Sequence, residues 1–186
     1  MDLYIKAEKG GIEYPYFSGS YTNFFNTVGT ITTQTIFSNF VYGGTFVLDK
    51  NVQVDEYNIR IVSGAVGNAV LGIYRLDETT PILNLIHQSA LIDTSITGLQ
   101  TLSIPVLNLD EGIYCTVVHS SVNFTASTVS MNNVANVFGD IYFNSAVTPI
   151  SGIKLNTAYT GTLPPTVSLT NLGTNLNPIN ILFKIA

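Results

Sequence analysis

Strand-length apolar runs, broken by turn signals roughly every eight to twelve residues, most limit what this chain can become, because that rhythm belongs to sandwiches and barrels. It begins at about Thr32. Thr45-Phe46-Val47-Leu48 is one such run, ended by Asp49-Lys50-Asn51. Next, Tyr57, Ile59 and Ile61 alternate with Asn58, Arg60 and Val62, so one face of that strand is buried. After the turn Ser63-Gly64-Ala65-Val66-Gly67-Asn68, the segment from Ala69 to Leu76 is apolar on both faces apart from Arg75, which suits a central strand. Asp77-Glu78-Thr79-Thr80-Pro81 breaks it. Further strands are expected at Leu99 to Ile104, Ile113 to His119, near Ser127 to Met131, near Val137 to Phe143, and at Ile179 to Ile185. Asp110-Glu111-Gly112 turns the chain into the Ile113 strand, and Gly161 to Pro165 opens the long last connection.

A short helix competes at one place. Thr80-Pro81 is a good N-cap and first helical residue, and Ile82, Leu85, Ile86 and Ala90 fall near helical spacing. The β-branched residues, with Asn84, His87-Gln88 and Ser89 interrupting at strand-length intervals, favour strands. Composition agrees: only 10% of residues are charged, and Asn, Thr, Ser and Gly fill the place that Glu, Lys and Arg take on exposed helix faces. The expected fold is therefore all-β, an antiparallel jelly-roll-like sandwich. Tyr57, Ile59, Ile61, Leu71, Ile73, Leu99, Leu102, Ile113, Val117 and Ile181 are its expected core.

With 186 residues, one core is the default. The rhythm leaves residues 1–31 outside the sandwich of residues 32–186. That first stretch is rich in Gly, Tyr and Phe and has no sustained period. It reads as an extended arm whose Tyr14, Tyr16, Phe17, Tyr21, Phe24 and Phe25 need a cover, either their own sandwich or a neighbouring subunit. A homo-oligomer with the arm in the contact is the expectation.

Charge and cysteine usage exclude several partners. A net charge of -5 offers no basic field for a phosphate backbone, so nucleic acid is excluded. No apolar run reaches the ~18 residues of a membrane span, and the start Met1-Asp2-Leu3-Tyr4-Ile5-Lys6 lacks the order of a signal peptide. The single Cys115 cannot form an internal disulfide, which fits folding in a reducing cytoplasm.

Catalytic chemistry finds little footing. Cys115 and His119 share one strand face, yet four residues of strand hold them about 13 Å apart, far beyond proton-transfer reach. His87 is the only other histidine, so no three-histidine zinc site can be built. Asp55-Glu56, Asp77-Glu78 and Asp110-Glu111 are paired acids, but neighbours on a strand point to opposite faces and neighbours in a turn point to solvent. Loop carboxylates suit calcium, but no Asp-x-Asp-x-Asp-Gly loop occurs, and no glycine-rich phosphate cradle occurs either. No catalytic residue, metal ligand or cofactor is assigned. Asn132, Asn133, Asn144, Asn156 and Tyr159 are candidate loop residues for stacking on and hydrogen-bonding a sugar.

The order of strands resembles a known pattern. Tyr57 to Val62, Ala69 to Arg75, Leu91 to Leu99 and Leu109 to Cys115 follow one another as in the jelly-roll-like sandwich domains of bacteriophage tail-fibre and head-fibre proteins. The "LGIY" element at Leu71 to Tyr74, the "S-x-T-G-L" turn at Ser95 to Leu99 and the "G-x-Y" element at Gly112 to Tyr114 carry the resemblance, with the closing strand Pro178 to Ala186. The family often has Trp after "G-x-Y", where this chain has Cys115 and no Trp anywhere. The resemblance implies a virion structural protein made in the host cytoplasm, trimeric like many fibres, contacting other virion proteins and adhering to host-surface glycan. A carbohydrate-binding module of a bacterial surface or secreted system is the alternative, and a glycan-degrading enzyme the third.

Overall fold

Period-two alternation in the segment Val52–Ser63 sets the frame of the molecule. The structure, a computed structural model, describes residues 4–6, 11–13, 19, 21–22, 30–130, 152–175 and 177–186. In chain order the strands are β1 (Tyr4–Lys6), β2 (Gly11–Glu13), β3 (Tyr21–Thr22), β4 (Thr30–Ile36), β5 (Phe40–Leu48), β6 (Val52–Ser63), β7 (Asn68–Leu76) and β8 (Ile82–Gln88). They continue with β9 (Ile92–Asp93), β10 (Gly98–Leu109), β11 (Gly112–Ser120), β12 (Phe124–Ser130), β13 (Gly152–Asn156), β14 (Thr166–Ser168), β15 (Gly173–Asn175) and β16 (Ile181–Ile185). Every pairing is antiparallel. The only helical piece among the described residues is a 3-10 turn at Leu169–Asn171. The segment in which a helix competed is strand β8.

Two sheets form the sandwich. A six-stranded sheet runs β3-β16-β6-β12-β4, with β10 on the free side of β6. An eight-stranded sheet runs β14-β8-β7-β11-β5-β13-β15, with β9 beside the start of β7. Tyr57, Ile59, Ile61, Ile181 and Phe183 from the first sheet meet Phe46, Leu48, Leu71, Ile73, Tyr114 and Val118 from the second in one apolar cluster. Phe183 sits edge-on to Tyr57 at 5.2 Å between ring centroids. The rings of Phe46 and Tyr114 stack at 5.5 Å.

A third layer covers the far side of the eight-stranded sheet. Residues 158–172 form a strap that closes this side and includes the edge strand β14, and Leu163, Val167, Leu169 and Leu172 cluster with Val41, Val70, Tyr74, Leu83, Cys115, Val117 and Ile153. The strap is tied by the Tyr74 hydroxyl donating to Pro164 O at 2.7 Å, Leu163 N–H donating to Gln88 Oε1 at 2.9 Å, and Leu85 N–H donating to Pro165 O at 2.9 Å. Gly72 permits this seat, because a Cβ there would run into Leu163. Each of the four buried strap side chains contributes on the order of 1.5–3 kcal/mol of apolar burial.

Several expectations need correction. Leu99 is 60% exposed, while Leu102 and Ile113 are half-buried against the two cores. Leu99 and Leu102 are three residues apart and so cannot share a strand face; the inward row of β10 is Gln100, Leu102 and Ile104. The stretch Leu91 to Leu99 is strand at Ile92–Asp93 and again from Gly98, where β10 begins, and β10 extends beyond Ile104 to Leu109. Ile179 makes a single bridge to Thr128, and regular strand starts at Ile181. In the expected arm, Tyr21–Thr22 pairs with Phe183 and Lys184, and Gly19 N–H donates to Ile185 O, so the backbone of the six-stranded sheet reaches back before Thr30. Tyr14, Tyr16, Phe17, Phe24 and Phe25 lie outside the described residues, as does the expected Val137 to Phe143 strand.

Candidate functional site

The outward row of the six-stranded sheet carries the larger of two open depressions. With Tyr57, Ile59 and Ile61 turned into the core, Arg60 and Val62 must face outward. Register sets Leu99 of β10 opposite Arg60, and Thr33 of β4 opposite Ser127 of β12. Ile31, Thr32, Thr33, Arg60, Ile61, Val62, Thr97, Gly98 and Ser127 line a shallow trough of about 530 Å³.

One wall of the trough is a turn held from beneath. The Asp93 carboxylate accepts from Ser95 N–H at 2.8 Å and from the Ser95 hydroxyl at 2.7 Å. These bonds hold its pKa below the ordinary carboxylate value. Thr94 donates its hydroxyl to Ala65 O at 2.7 Å, and Gln100 Nε2 donates to Ile96 O at 3.1 Å. Gly98 takes φ +104°, a backbone region that favours glycine, where the turn enters β10.

Arg60 gives the trough its charge. Arg75 pairs with Glu78 and Asp110, Lys184 with Asp55 and Glu56, and Lys154 sits 5.3 Å from the Phe40 ring centroid. Arg60 is exposed and, among the described residues, has no such partner. Ile31 and Val62 beside it are 60% and 44% exposed. The trough thus joins a planar five-donor cation, threonine hydroxyls and aliphatic surface, a set that can grip a ligand with both polar and apolar edges.

The expected sugar-contact residues are not gathered there. Asn132, Asn133 and Asn144 lie outside the described residues. Asn156 ends β13 and is exposed, while Tyr159 begins the strap and is half-buried, its ring edge-on to His119 at 5.1 Å. Neither lines the trough. Composition and loop position favoured asparagines; the missed signal was a lone arginine on the outward row of an otherwise alternating strand.

The acid pairs are occupied locally. Asp77 accepts from Thr79 N–H, the Thr79 hydroxyl and Thr80 N–H at 2.7–2.8 Å, which lowers its pKa to about 2 and fixes it as a turn-holding anion. A second depression of about 360 Å³ beside it is lined by Arg75, Glu78 and Asn84, with Arg75 bound to Glu78 and to Glu111 O. Asp55 and Glu56 do not point to opposite faces as expected: a bulge in the β6–β16 register lets both reach Lys184 Nζ, at 3.6 and 2.9 Å.

Cys115 and His119 lie buried under the strap. Burial pushes the Cys115 thiol far above its ordinary pKa, so it is no nucleophile at neutral pH. His119 is 1% exposed, and burial lowers its pKa. The backbone of Thr157 and Ser38 lies near enough to oppose that shift, but without hydrogen-bonding geometry to either ring nitrogen. His87 points into the main core, its Nδ1 3.1 Å from the Tyr57 hydroxyl. Among the described residues no group of three or more His, Cys, Asp or Glu is placed to hold a metal ion. Nor is any helix among them long and apolar enough to cross a membrane.

No protein-family model and no curated protein matches the sequence. Two solved structures of a clostridial cysteine protease, Cwp84, are distantly similar. One, determined after propeptide cleavage, is 12% identical over 84% of this chain and 40% of its own, with a TM-score of 0.46. The other contains the cysteine protease and lectin-like domains of Cwp84 from Clostridium difficile, described as a surface layer associated protein. It is 13% identical over 84% of this chain and 36% of its own, with a TM-score of 0.43. The chain spans well under half the length of either.

Proposed function

We propose that this chain is a non-catalytic recognition module that holds a glycan in the trough around Arg60. The observation that carries the reading is the joining of exposed Arg60, without an ion-pair partner among the described residues, with threonines and exposed Ile31 and Val62 around one open trough. Hydroxyls and a guanidinium satisfy the polar rim of a sugar, and aliphatic side chains pack on its C–H face. A glycan array with the full chain is the test. Binding by the wild type that is lost in Arg60→Ala, with unchanged circular dichroism, supports the reading, and an array silent for the wild type sinks it.

We propose further that the module serves as a structural part of a bacteriophage fibre, tail or head surface. The support is positional: the elements that resemble fibre proteins fall on the strands they should mark, Leu71 to Tyr74 within β7 and Gly112 to Tyr114 at the start of β11. Immunogold labelling of purified particles tests this setting, and particles free of label overturn it.

A further inference from the structure

We propose that β10 is a self-association edge, through which two copies of this chain pair antiparallel and extend the six-stranded sheet across a two-fold axis. Among the described residues β10 pairs with β6 alone, so its other side presents unpaired backbone donors and acceptors over twelve residues. Natural sheets usually blunt such an edge with lysine, other charges, proline or a bulge. Here Gly98–Leu109 contains no charged residue at all. Its bulge and Pro105 fall between Ser103 and Leu107, which leaves Gly98 to Ser103 in unbroken register with β6 and free to template a partner strand.

The strand itself also leaves apolar surface open. Leu99 and Val106 of β10 are 60% and 53% exposed. Leu102, Ile104 and Leu107 of β10 face the core yet stay only partly buried. A strand laid along β10 would close them off.

A second copy is the occupant that the charge pattern selects. In an isologous antiparallel contact both partners present the same edge, so an edge charged with one sign would be set against its own kind. The chain carries a net charge of -5, yet this edge carries none: Leu99, Thr101 and Ser103 on one face and Gln100, Leu102 and Ile104 on the other set no like charges against each other. The opposite edge strand, β4, is also uncharged but offers seven residues against twelve. A two-fold contact at β10 differs from the trimer expected of the arm. Because Gly98 lines the trough, it would also set two troughs on one continuous sheet, where a repeating ligand gains avidity.

Sedimentation velocity of the full chain across a concentration series reads the assembly directly. The expected result is a monomer–dimer equilibrium, with β10 amide exchange slowing as concentration rises. The double variant Ser103→Lys/Val106→Lys changes two exposed side chains and places lysines along the edge. It should weaken dimerisation at least tenfold while circular dichroism stays that of wild type. A wild type that is monomeric throughout overturns the proposal, as does a trimer, or a dimer that persists undiminished in the folded double variant.

Discussion

The two sheets of this sandwich differ in how many faces they bury. The eight-stranded sheet is covered twice, by the main core and by the strap, whereas the six-stranded sheet packs on one side and keeps an open trough on the other. Strand β7 accordingly runs nearly continuously buried from Ala69 to Tyr74, while β6 turns Arg60 and Val62 outward. A doubly covered sheet hides its chemistry: Cys115 and His119 are both sealed beneath the strap. The larger of the two open depressions, the trough around Arg60, lies on the singly covered sheet.

The comparison would break most visibly at the shared core. Phe183 is fully buried between the sheets, against Tyr57 and Phe46. Phe183→Ala should cost about 3–5 kcal/mol, read as a lower urea midpoint, because both sheets lose the same anchor. A loss under about 1 kcal/mol would mean that the sheets do not depend on one packed interface.

The strap is the next test. Leu163→Ala removes its contact over Gly72 and should cost near the low end of about 2–5 kcal/mol, since the strap can settle locally. Hydrogen exchange should speed up in β14 and across residues 158–172 while β6 and β12 stay protected. Equal acceleration everywhere would show that the third layer is not separable from the sandwich.

Much of this contrast was legible in the sequence. Alternation at Tyr57, Ile59 and Ile61 correctly marked one buried face, and the two-faced apolarity of Ala69 to Leu76 marked a strand covered on both sides. The same observation implied a second cover, but Leu163, Val167, Leu169 and Leu172 are spread through turn-rich sequence with no period to betray them. Leu99 misled because hydrophobicity was weighed above parity, and in β10 the inward place went to Gln100. For the trough, Arg60 was visible as the outward residue of its strand, but Thr33, Thr97 and Ser127 join it only through long-range register.

A smaller effect should come from pH. Burial holds the pKa of both His119 and His87 below the ordinary 6.5, so each imidazole is kept neutral by the fold and takes up a proton more readily when unfolded. Unfolding therefore binds protons as pH falls below about 6.5, and stability declines from there until the folded-state pKa values are passed. Above that range the histidines contribute no slope. Urea midpoints at pH 7.5 and 5 should fall in that order, and His119→Leu should flatten the difference by the share belonging to the strap side. An unchanged slope in that variant would place the pH response in the main core, with His87.

The smallest effect on stability should belong to the residue given the largest functional part. Arg60 is exposed and lacks an ion-pair partner among the described residues, so Arg60→Ala removes no buried contact and opens no cavity. Its unfolding free energy should stay within about 0.5 kcal/mol of wild type, while glycan binding is lost. Arg75→Ala is the matched control on the doubly covered sheet. That guanidinium ties β7 to Glu78, Asp110 and Glu111, so its removal should cost stability measurably and leave glycan binding intact. Were Arg60→Ala to destabilise the chain as much as Arg75→Ala, the guanidinium would be serving the sheet itself, and the open face would have to find its ligand without it.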